Sequence, residues 1–250
     1  MRISFVIPAY NEEERLPHCL SSVECALKNA PCDTEVIVVD NASTDKTSEV
    51  AGKYSFVRVV NEPRKGLVRA RQSGYDASTG DIIANIDADT TLPSQWLNKV
   101  FSEFSHDKNL AALSGPFIYY DLSLFQRSLT HMFYVGGYIL YRVNNYVLGS
   151  GAMLQGGNFI LRRTYFEQIG GFDTSIDFYG EDTDVARRIS KVGKVKWAFG
   201  LPIYASGRRL AKEGVIISGV RYAINYFYTL FYKKPFTKTH TDIRTKLSEN

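Results

Sequence analysis

Short, continuously apolar segments alternate along the chain with segments whose apolar residues recur every three or four positions. The apolar segments are Ile3–Ile7, Glu35–Val39, Phe56–Val60 and Asp81–Ile86. They are rich in β-branched and aromatic residues, which is typical of strands buried on both faces of a sheet. The alternation predicts an α/β fold: a doubly wound, Rossmann-like, mostly parallel sheet with helices on both faces.

Helices are predicted in the three connections between these strands. In the first connection, helical spacing is shown by Leu16, Leu20, Val23 and Leu27. Asn11 and Glu14 resemble a capping box at its start. The other two helices are predicted at Ser43–Lys53 and Gly66–Ser78.

The pattern changes after residue 115. The later predicted elements are an aromatic segment at Leu122–Leu148, a strand at Asn158–Leu161, a helix at Glu181–Val192, a strand at Val195–Phe199 and an amphipathic helix at Gly214–Tyr232. Linkers and internal repeats are not evident. We therefore predict one domain over residues 1–210, with halves 1–115 and 116–210, followed by an amphipathic helix and basic tail over 211–250.

Composition and charge exclude several classes of protein. The 250 residues carry 30 Lys and Arg against 26 Asp and Glu, a net charge of +4. This excess is too small to predict a nucleic-acid partner. The cysteines, Cys19, Cys25 and Cys32, lack CxxC spacing, which favours a reducing compartment. The first residues do not resemble a signal peptide, and no run reaches the roughly 18 apolar residues of a membrane span. We expect a cytoplasmic protein.

The strongest chemical signal is a pair of carboxylates, Asp87 and Asp89, at the end of a predicted buried strand. Two carboxylates at this spacing can share a hard cation such as Mg²⁺ or Mn²⁺. Asp also favours turns, so the pair is weak evidence alone. Three further polar motifs lie at strand ends or helix starts, namely residues 8–13, 38–47 and 180–184. Ligands of such a sheet bind beyond the carboxyl ends of its strands, where these motifs would meet.

As a set, these motifs resemble those of inverting nucleotide-sugar glycosyltransferases of family 2, which have the GT-A fold. The matching stretches are Val6–Glu13, Val39–Asp45, Gly66–Gly80, Asp87–Asp89, Gly170–Asp173 and Glu181–Asp184. The resemblance extends over about residues 2–210. It implies that residues 1–115 form the nucleotide-sugar-binding half and residues 116–210 the acceptor-binding half.

The resemblance also implies roles for individual residues. The residues implied at the base and ribose of a donor, typically a UDP-sugar, are Pro8, Ala9, Tyr10, Glu12 and Asp40. Arg71 would lie beside the base and diphosphate, and Asp87 would approach the ribose or sugar, with Ala88 as a further substrate-binding residue. Asp89 would bind Mn²⁺ or Mg²⁺. Asp182 would be the general base that deprotonates the acceptor hydroxyl, and direct displacement needs no second, nucleophilic carboxylate.

Further candidates come from the second half of the chain. Many relatives carry a histidine downstream of the Glu-Asp motif, where this chain has Arg208 and Arg209. Paired arginines can bind a diphosphate bidentately and take over part of a metal's role. Gly157 and Asn158 are further candidates for substrate binding, since a glycine before Asn158 would let the backbone approach a sugar closely. Glu181 is expected either at the substrate or as a partner of the helix N-terminus.

Two other functions compete with glycosyl transfer. The sequence from Asp87 to Thr91 also fits the Asp-x-Asp-x-Thr pattern of haloacid-dehalogenase-like phosphohydrolases, in which Asp87 would be the nucleophile. In that family the motif normally ends the first core strand, whereas three strands are predicted before it here. A non-catalytic sugar- or nucleotide-binding module would not require both Asp89 and Asp182.

The acceptor is expected to be a glycan or a lipid-linked saccharide. The aromatic segment Leu122–Leu148 is either a buried helix or an apolar surface for a lipid-linked acceptor or a membrane. Phe227–Phe231 is followed by Lys233, Lys234 and Lys238, which is the pattern of an interfacial helix. Peripheral contact with the inner face of the membrane and a core helix with a solvated basic tail both remain open.

Overall fold

A computed structural model describes residues 1–148, 153–176, 179–232 and 236–237. The strands are β1 Ile3–Ala9, β2 Thr34–Asp40, β3 Val57–Asn61, β4 Ile82–Ile86, β5 Thr90–Thr91, β6 Leu110–Ser114, β7 Phe117–Tyr119, β8 Asn158–Arg162, β9 Lys194–Trp197 and β10 Ile203–Ala205. The helices are α1 Leu16–Leu27, α2 Thr47–Gly52, α3 Leu67–Ala77, α4 Trp96–His106, α5 Leu124–Leu148, α6 Arg163–Gln168, α7 Glu181–Ile189, α8 Arg208–Glu213 and α9 Val215–Tyr232.

The main sheet has the strand order β3-β2-β1-β4-β8-β6-β9. The strands β3, β2, β1 and β4 are parallel, which confirms the predicted α/β fold. β8 is antiparallel to both of its neighbours, and β9 is again parallel to β6. A second, small sheet has the order β5-β10-β7. The sheet is therefore mixed, and β8 joins the two halves of the chain.

Apolar side chains on alternate positions of the strands bury the two faces of the sheet against different helices. Ile3, Phe5 and Ile7 pack in one core with α1 and α4. On the other face, Val6 packs in a core with Ala70 of α3. The core around β8, α6 and α7 lies apart from these two clusters. Helices thus cover both faces, and the polar motifs are left at the strand ends.

The predicted capping box is wrong. α1 begins at Leu16, and its N-terminal flanking residue is Arg15. Asn11 lies instead in a left-handed conformation with φ 51°, and its Oδ1 accepts the Thr44 N–H at 2.8 Å. The side chain of Asn11 therefore joins the β1–α1 loop to the β2–α2 loop. Part of the predicted basic tail, with Lys233, Lys234 and Lys238, lies outside the described residues.

Candidate functional site

The first part of the site forms where β1 and β2 end side by side. Ala9 is paired with Asp40 in the sheet register, and the Asn41 N–H donates to the Ala9 carbonyl at 2.8 Å. Asp40 is buried, and its Oδ1 accepts the Ser43 N–H at 3.2 Å. Pro8 and Ala9 are buried strand residues. The ends of these strands thus present the carboxylate of Asp40 beside the half-buried Tyr10.

A basic loop lies over Tyr10, and the sequence interpretation did not include it. Lys65 Nζ is 3.8 Å from the centroid of the Tyr10 ring, a cation–π geometry. Asn41 holds this loop, since its amide donates to the carbonyls of Glu62 and Arg64 at 3.1 and 2.9 Å and accepts the Gly66 N–H. The Pro63–Gly66 turn before α3 was the signal available in the sequence.

Arg71 joins the two halves of the chain. Its fully buried guanidinium donates to Glu181 Oε1 at 2.5 Å and to Asp87 Oδ1 at 3.0 Å. Burial alone would lower the pKa of Arg71, but the carboxylates of Glu181 and Asp87 more than offset this, and the pKa is raised. The side chain is therefore a fixed cation between the end of β4 and the start of α7.

Gly157 packs directly against Asp87. It has a φ of 82°, and a Cβ atom there would overlap the Asp87 carboxylate. The Asp87 N–H also donates to the Gly157 carbonyl at 3.4 Å. Gly157 therefore sets the position of the Asp87 side chain. Ala88, by contrast, is buried in the core beneath α1.

Asn158 has a structural role in the described fold. Its side chain is fully buried, and its amide nitrogen donates to the carbonyls of Gly115 and Leu201, both at 3.0 Å. Its Oδ1 accepts the indole N–H of Trp96 at 3.3 Å. All three of these hydrogen bonds join the side-chain amide of Asn158 to other groups of the protein. The predicted contact of Asn158 with substrate stays a prediction.

Asp182 lies at the start of α7, which follows Gly180 in a left-handed conformation. Its Oδ2 accepts the Gly156 N–H at 2.9 Å and its Oδ1 accepts the Thr183 N–H at 2.7 Å. Burial nevertheless raises the pKa of Asp182. Burial and the neighbouring Asp182 charge raise the pKa of Glu181 as well. Asp182 thus has a fixed orientation and an increased affinity for a proton.

Arg208 brings a cation to a second pair of carboxylates. Its Nη2 donates to Glu12 Oε1 and forms an ion pair with Asp89 Oδ2 at 3.0 Å. Glu12 is buried, and Asp89 lies two residues beyond Asp87. Arg209 pairs instead with Glu213 at 3.1 Å. The two arginines that the sequence grouped therefore point to different carboxylates.

The residues around Asp89 fit a metal site that takes few ligands from the protein and the rest from water and substrate. Within the ranges that the structure describes, no group of three or more His, Cys, Asp and Glu side chains could hold a metal ion. The donor available is a hard carboxylate oxygen, which suits Mg²⁺ or Mn²⁺. Mg²⁺ commonly takes one or two carboxylates and completes its shell with water and substrate phosphates. Asp89 fits a metal on these terms.

Comparisons with known proteins identify the family. A family model described as glycosyl transferase family 2 matches residues 4–170, and one described as the N-terminal domain of galactosyltransferase matches residues 144–233. The first match covers more than half of the chain. The chain belongs to glycosyl transferase family 2, which confirms the predicted family. It also contradicts the phosphohydrolase alternative, and the carboxylate of Asp87, which that alternative made a nucleophile, is paired with Arg71.

Two curated relatives resemble the chain over part of its length. The glycosyltransferase AglE of Haloferax volcanii is 34% identical over 108 residues, 41% of this chain and 35% of the relative. The dolichol-phosphate mannosyltransferase of Pyrococcus furiosus is 30% identical over 115 residues, 44% of this chain and 32% of the relative. The chain spans about a third of the length of these two relatives.

A solved structure shares the fold. It is the mannosyltransferase PcManGT from Pyrobaculum calidifontis, determined with GDP-Man and Mn²⁺. The TM-score is 0.70 at 19% identity, and the match covers 93% of this chain and 63% of the other. This likeness confirms the predicted fold class.

Proposed function

We propose that this protein is an inverting glycosyltransferase that uses a nucleoside diphosphate sugar, with UDP as the expected nucleotide. The sugar would pass by direct displacement to an acceptor hydroxyl on a glycan or a lipid-linked saccharide. One observation carries the proposal: Arg71 connects Asp87, which follows β4 in the nucleotide-binding half, to Glu181, which is adjacent to Asp182. A donor site and a candidate base are thereby held at one sheet edge.

The nucleoside would lie at the ends of β1 and β2. Tyr10 offers an aromatic face, and Asp40 offers a carboxylate to an N–H group of the base edge. The residues proposed to line this part are Pro8, Ala9, Tyr10, Glu12 and Asp40, with Glu12 near the ribose. Lys65, which lies over the Tyr10 ring, is well placed to exchange that contact for one with the bound nucleotide.

The diphosphate and sugar would lie between β4 and α7. Arg71 and Arg208 supply two cations to the Asp87–Asp89 segment, Arg71 at Asp87 and Arg208 at Asp89. Asp89 would hold Mn²⁺ or Mg²⁺, which supplies Lewis-acid neutralisation of the leaving charge when bound. Gly157 would give the sugar close access to the backbone. Arg209, which is paired with Glu213, would lie farther from the diphosphate than Arg208.

Asp182 would be the general base. It would take the proton of the acceptor hydroxyl as that oxygen bonds to the anomeric carbon, while the nucleoside diphosphate leaves with the electron pair of the broken bond. The backbone N–H groups of Gly156 and Thr183 fix the orientation of the carboxylate. Because burial raises the pKa of Asp182, it is a stronger base than an exposed aspartate. Glu181 would position Arg71 beside it.

The protein would work in the cytoplasm, in peripheral contact with the inner face of a membrane, where a lipid-linked acceptor would be available. Among the helices of the described residues, none is sufficiently long and apolar to cross a bilayer. The apolar surfaces of α5 and α9 support the peripheral contact, as argued below.

Calorimetric titration tests the proposal. UDP, GDP and inorganic phosphate would each be titrated into the protein with and without Mn²⁺, and GDP serves as the matched nucleotide control. We expect UDP to bind more tightly than GDP, with an affinity that increases with Mn²⁺. Binding of phosphate with no binding of either nucleotide would overturn the proposal. Tighter binding of GDP would keep the reaction class and correct the donor.

A further inference from the structure

Helix α5 exposes a stripe of large apolar side chains. Phe125, Met132 and Ile139 follow each other at intervals of seven residues, which places them on one side of the helix. Their exposed fractions are 77%, 68% and 57%. Val143, one turn further, is exposed as well. Nothing in the described chain covers this side.

Helix α9 continues the apolar surface. Ile216 and Ile217 are 62% and 61% exposed, and Val220 and Phe227 are also exposed. A groove of about 500 Å³ runs along the helix and is lined almost entirely by apolar atoms. Phe133 of α5 forms one wall of it. Monomeric proteins rarely leave so large an apolar area in water, so this surface is expected to meet a partner.

The charge of the two helices indicates what the partner is. Neither helix contains Asp or Glu, and Arg127 and Arg142 give α5 positive charge, whereas Arg221 of α9 is paired with Glu213 of α8. In the sequence, Lys233 and Lys234 follow directly after α9. An apolar face bordered by basic residues is complementary to the hydrocarbon and the anionic headgroups of a membrane. Exposed Tyr222 and Tyr232 add amphipathic rings of the kind enriched at membrane interfaces.

A second copy of the chain is a poorer partner for the same reason. A twofold-symmetric contact places a surface against itself. Two copies of this surface would bring the arginines of α5 together without carboxylates of α5 or α9 to pair with them. Anionic lipids remove that repulsion.

We propose that the exposed faces of α5 and α9 form a docking surface for a membrane rich in anionic lipid. The helices lie in the plane of the membrane interface, with Phe125, Met132 and Ile216 among the inserted side chains. This inference rests on the peripheral location proposed above and not on the choice of donor. It identifies the surface and the charge of the lipid. Because Arg221 of α9 also donates to Tyr179, two residues before Glu181, the docked helix adjoins the start of α7.

Vesicle co-sedimentation tests the docking surface. The full chain would be mixed with vesicles of phosphatidylcholine alone or with 30% phosphatidylglycerol. We expect binding to the anionic vesicles to be at least tenfold tighter and to weaken in high salt. Ile216→Glu and Met132→Glu should each lower it about tenfold or more. Val192→Glu, which places the same charge on an exposed apolar side chain outside α5 and α9, is the matched control and should bind as the unaltered protein does.

Two further measurements keep the outcomes distinct. UDP titration of each variant shows whether the fold and donor site are intact, so a failed donor proposal is recognised separately from failed docking. Light scattering after gel filtration gives the oligomeric state. A dimer that Ile216→Glu dissociates, without vesicle binding by either protein, would overturn the inference in favour of self-association. Equal binding to both kinds of vesicle would overturn the anionic-lipid assignment.

Discussion

Arg208 pairs with Asp89 at 3.0 Å, so a side chain of α8 occupies an oxygen of the carboxylate that we propose as a metal ligand. The same guanidinium donates to the buried Glu12. The ion pair with Arg208 therefore weakens metal binding by the Asp89 carboxylate, and a bound metal would weaken the ion pair. Donor diphosphate, which attracts both cations, would relieve the competition. Metal binding and nucleotide binding should therefore be coupled through Arg208.

Arg208→Gln should raise the affinity for Mn²⁺ in the absence of nucleotide. The substitution removes one cation that competes with the metal for Asp89, and the expected gain is about tenfold, or about 1.4 kcal/mol. Electron paramagnetic resonance of free Mn²⁺ measures it directly. Arg209→Gln, which alters the pair with Glu213, is the control and should leave Mn²⁺ affinity unchanged. An unchanged affinity in Arg208→Gln would refute the competition.

Asp182→Asn should abolish sugar transfer while donor binding is kept. Loss of a general base lowers turnover by about 10²- to 10⁴-fold. The amide can still accept one of the two backbone N–H bonds from Gly156 and Thr183, so the local fold should persist. Turnover and UDP titration are measured on the same preparation. Asp107→Asn, at an exposed ion pair with Lys194, should retain activity, and full turnover by Asp182→Asn would remove the base assignment.

The rate of transfer should fall as the pH is lowered, with a midpoint above the ordinary aspartate pKa of 3.8. The rate falls in this direction because burial raises the pKa of Asp182. The carboxyl group therefore stays protonated at a pH where an exposed aspartate is ionised. The protonated form cannot accept the hydroxyl proton. The pH profile of kcat measures the midpoint. A midpoint at or below 3.8 would contradict the conclusion that the buried Asp182 sets the pH profile.

Gly157→Ala should lower the affinity for the donor nucleotide, and its structural effect should be greatest around Asp87. The new methyl group would displace the Asp87 carboxylate from Arg71, and φ 82° adds backbone strain. We expect a loss of about 2–4 kcal/mol in stability and at least tenfold in UDP affinity. Gly170→Ala is the matched control, because its φ is 77° but nothing lies within 4 Å of the added carbon. Equal effects of the two substitutions would show that strain alone is responsible.

Asn158→Ala should destabilise the fold by about 2–4 kcal/mol, because it leaves the Trp96 indole N–H and two buried carbonyls without their partner. Denaturant unfolding measures this change. Asn98→Ala, at a half-buried helix position with one long side-chain bond, should change stability by less than about 0.5 kcal/mol. Loss of UDP affinity at unchanged stability would instead support Asn158 as a substrate contact.

The parallel half of the sheet was largely predictable from the sequence because β1, β2 and β4 are mostly buried and rich in β-branched residues. The prediction that Phe56–Val60 is buried on both faces is wrong, because β3 lies at the edge of the sheet and is only partly buried. Ile3–Ile7 and Ile82–Ile86 are mainly apolar, and a length of five residues suits a strand better than a helix. β6, Leu110–Ser114, was not predicted, because its Leu-Ala-Ala-Leu sequence suits a helix equally well. Its pairing with β8, which makes it a strand, is a contact between distant parts of the chain. The helix Trp96–His106 was missed although its buried residues have helical spacing.

The site was predictable in its residue types and not in its pairings. Asp87, Asp89 and Asp182 stand at strand ends and a helix start, which a sequence can indicate. The contact of Arg71 with Glu181 joins positions 110 residues apart, and no local pattern encodes it. The buried hydrogen bonds of Asn158 were not predictable for the same reason, since its partners lie in separate parts of the chain.

The position of β8 between β4 and β6 has a consequence for biosynthesis. Both neighbours leave the ribosome before the strand that must separate them, so each presents an open hydrogen-bonding edge in the nascent chain. Insertion of β8 closes both edges and, in the same step, brings Gly157 against Asp87. Pairing of β8 with β4 and formation of the Gly157–Asp87 contact are thus a single event. A nascent chain that has not yet added β8 would therefore lack this part of the proposed donor site.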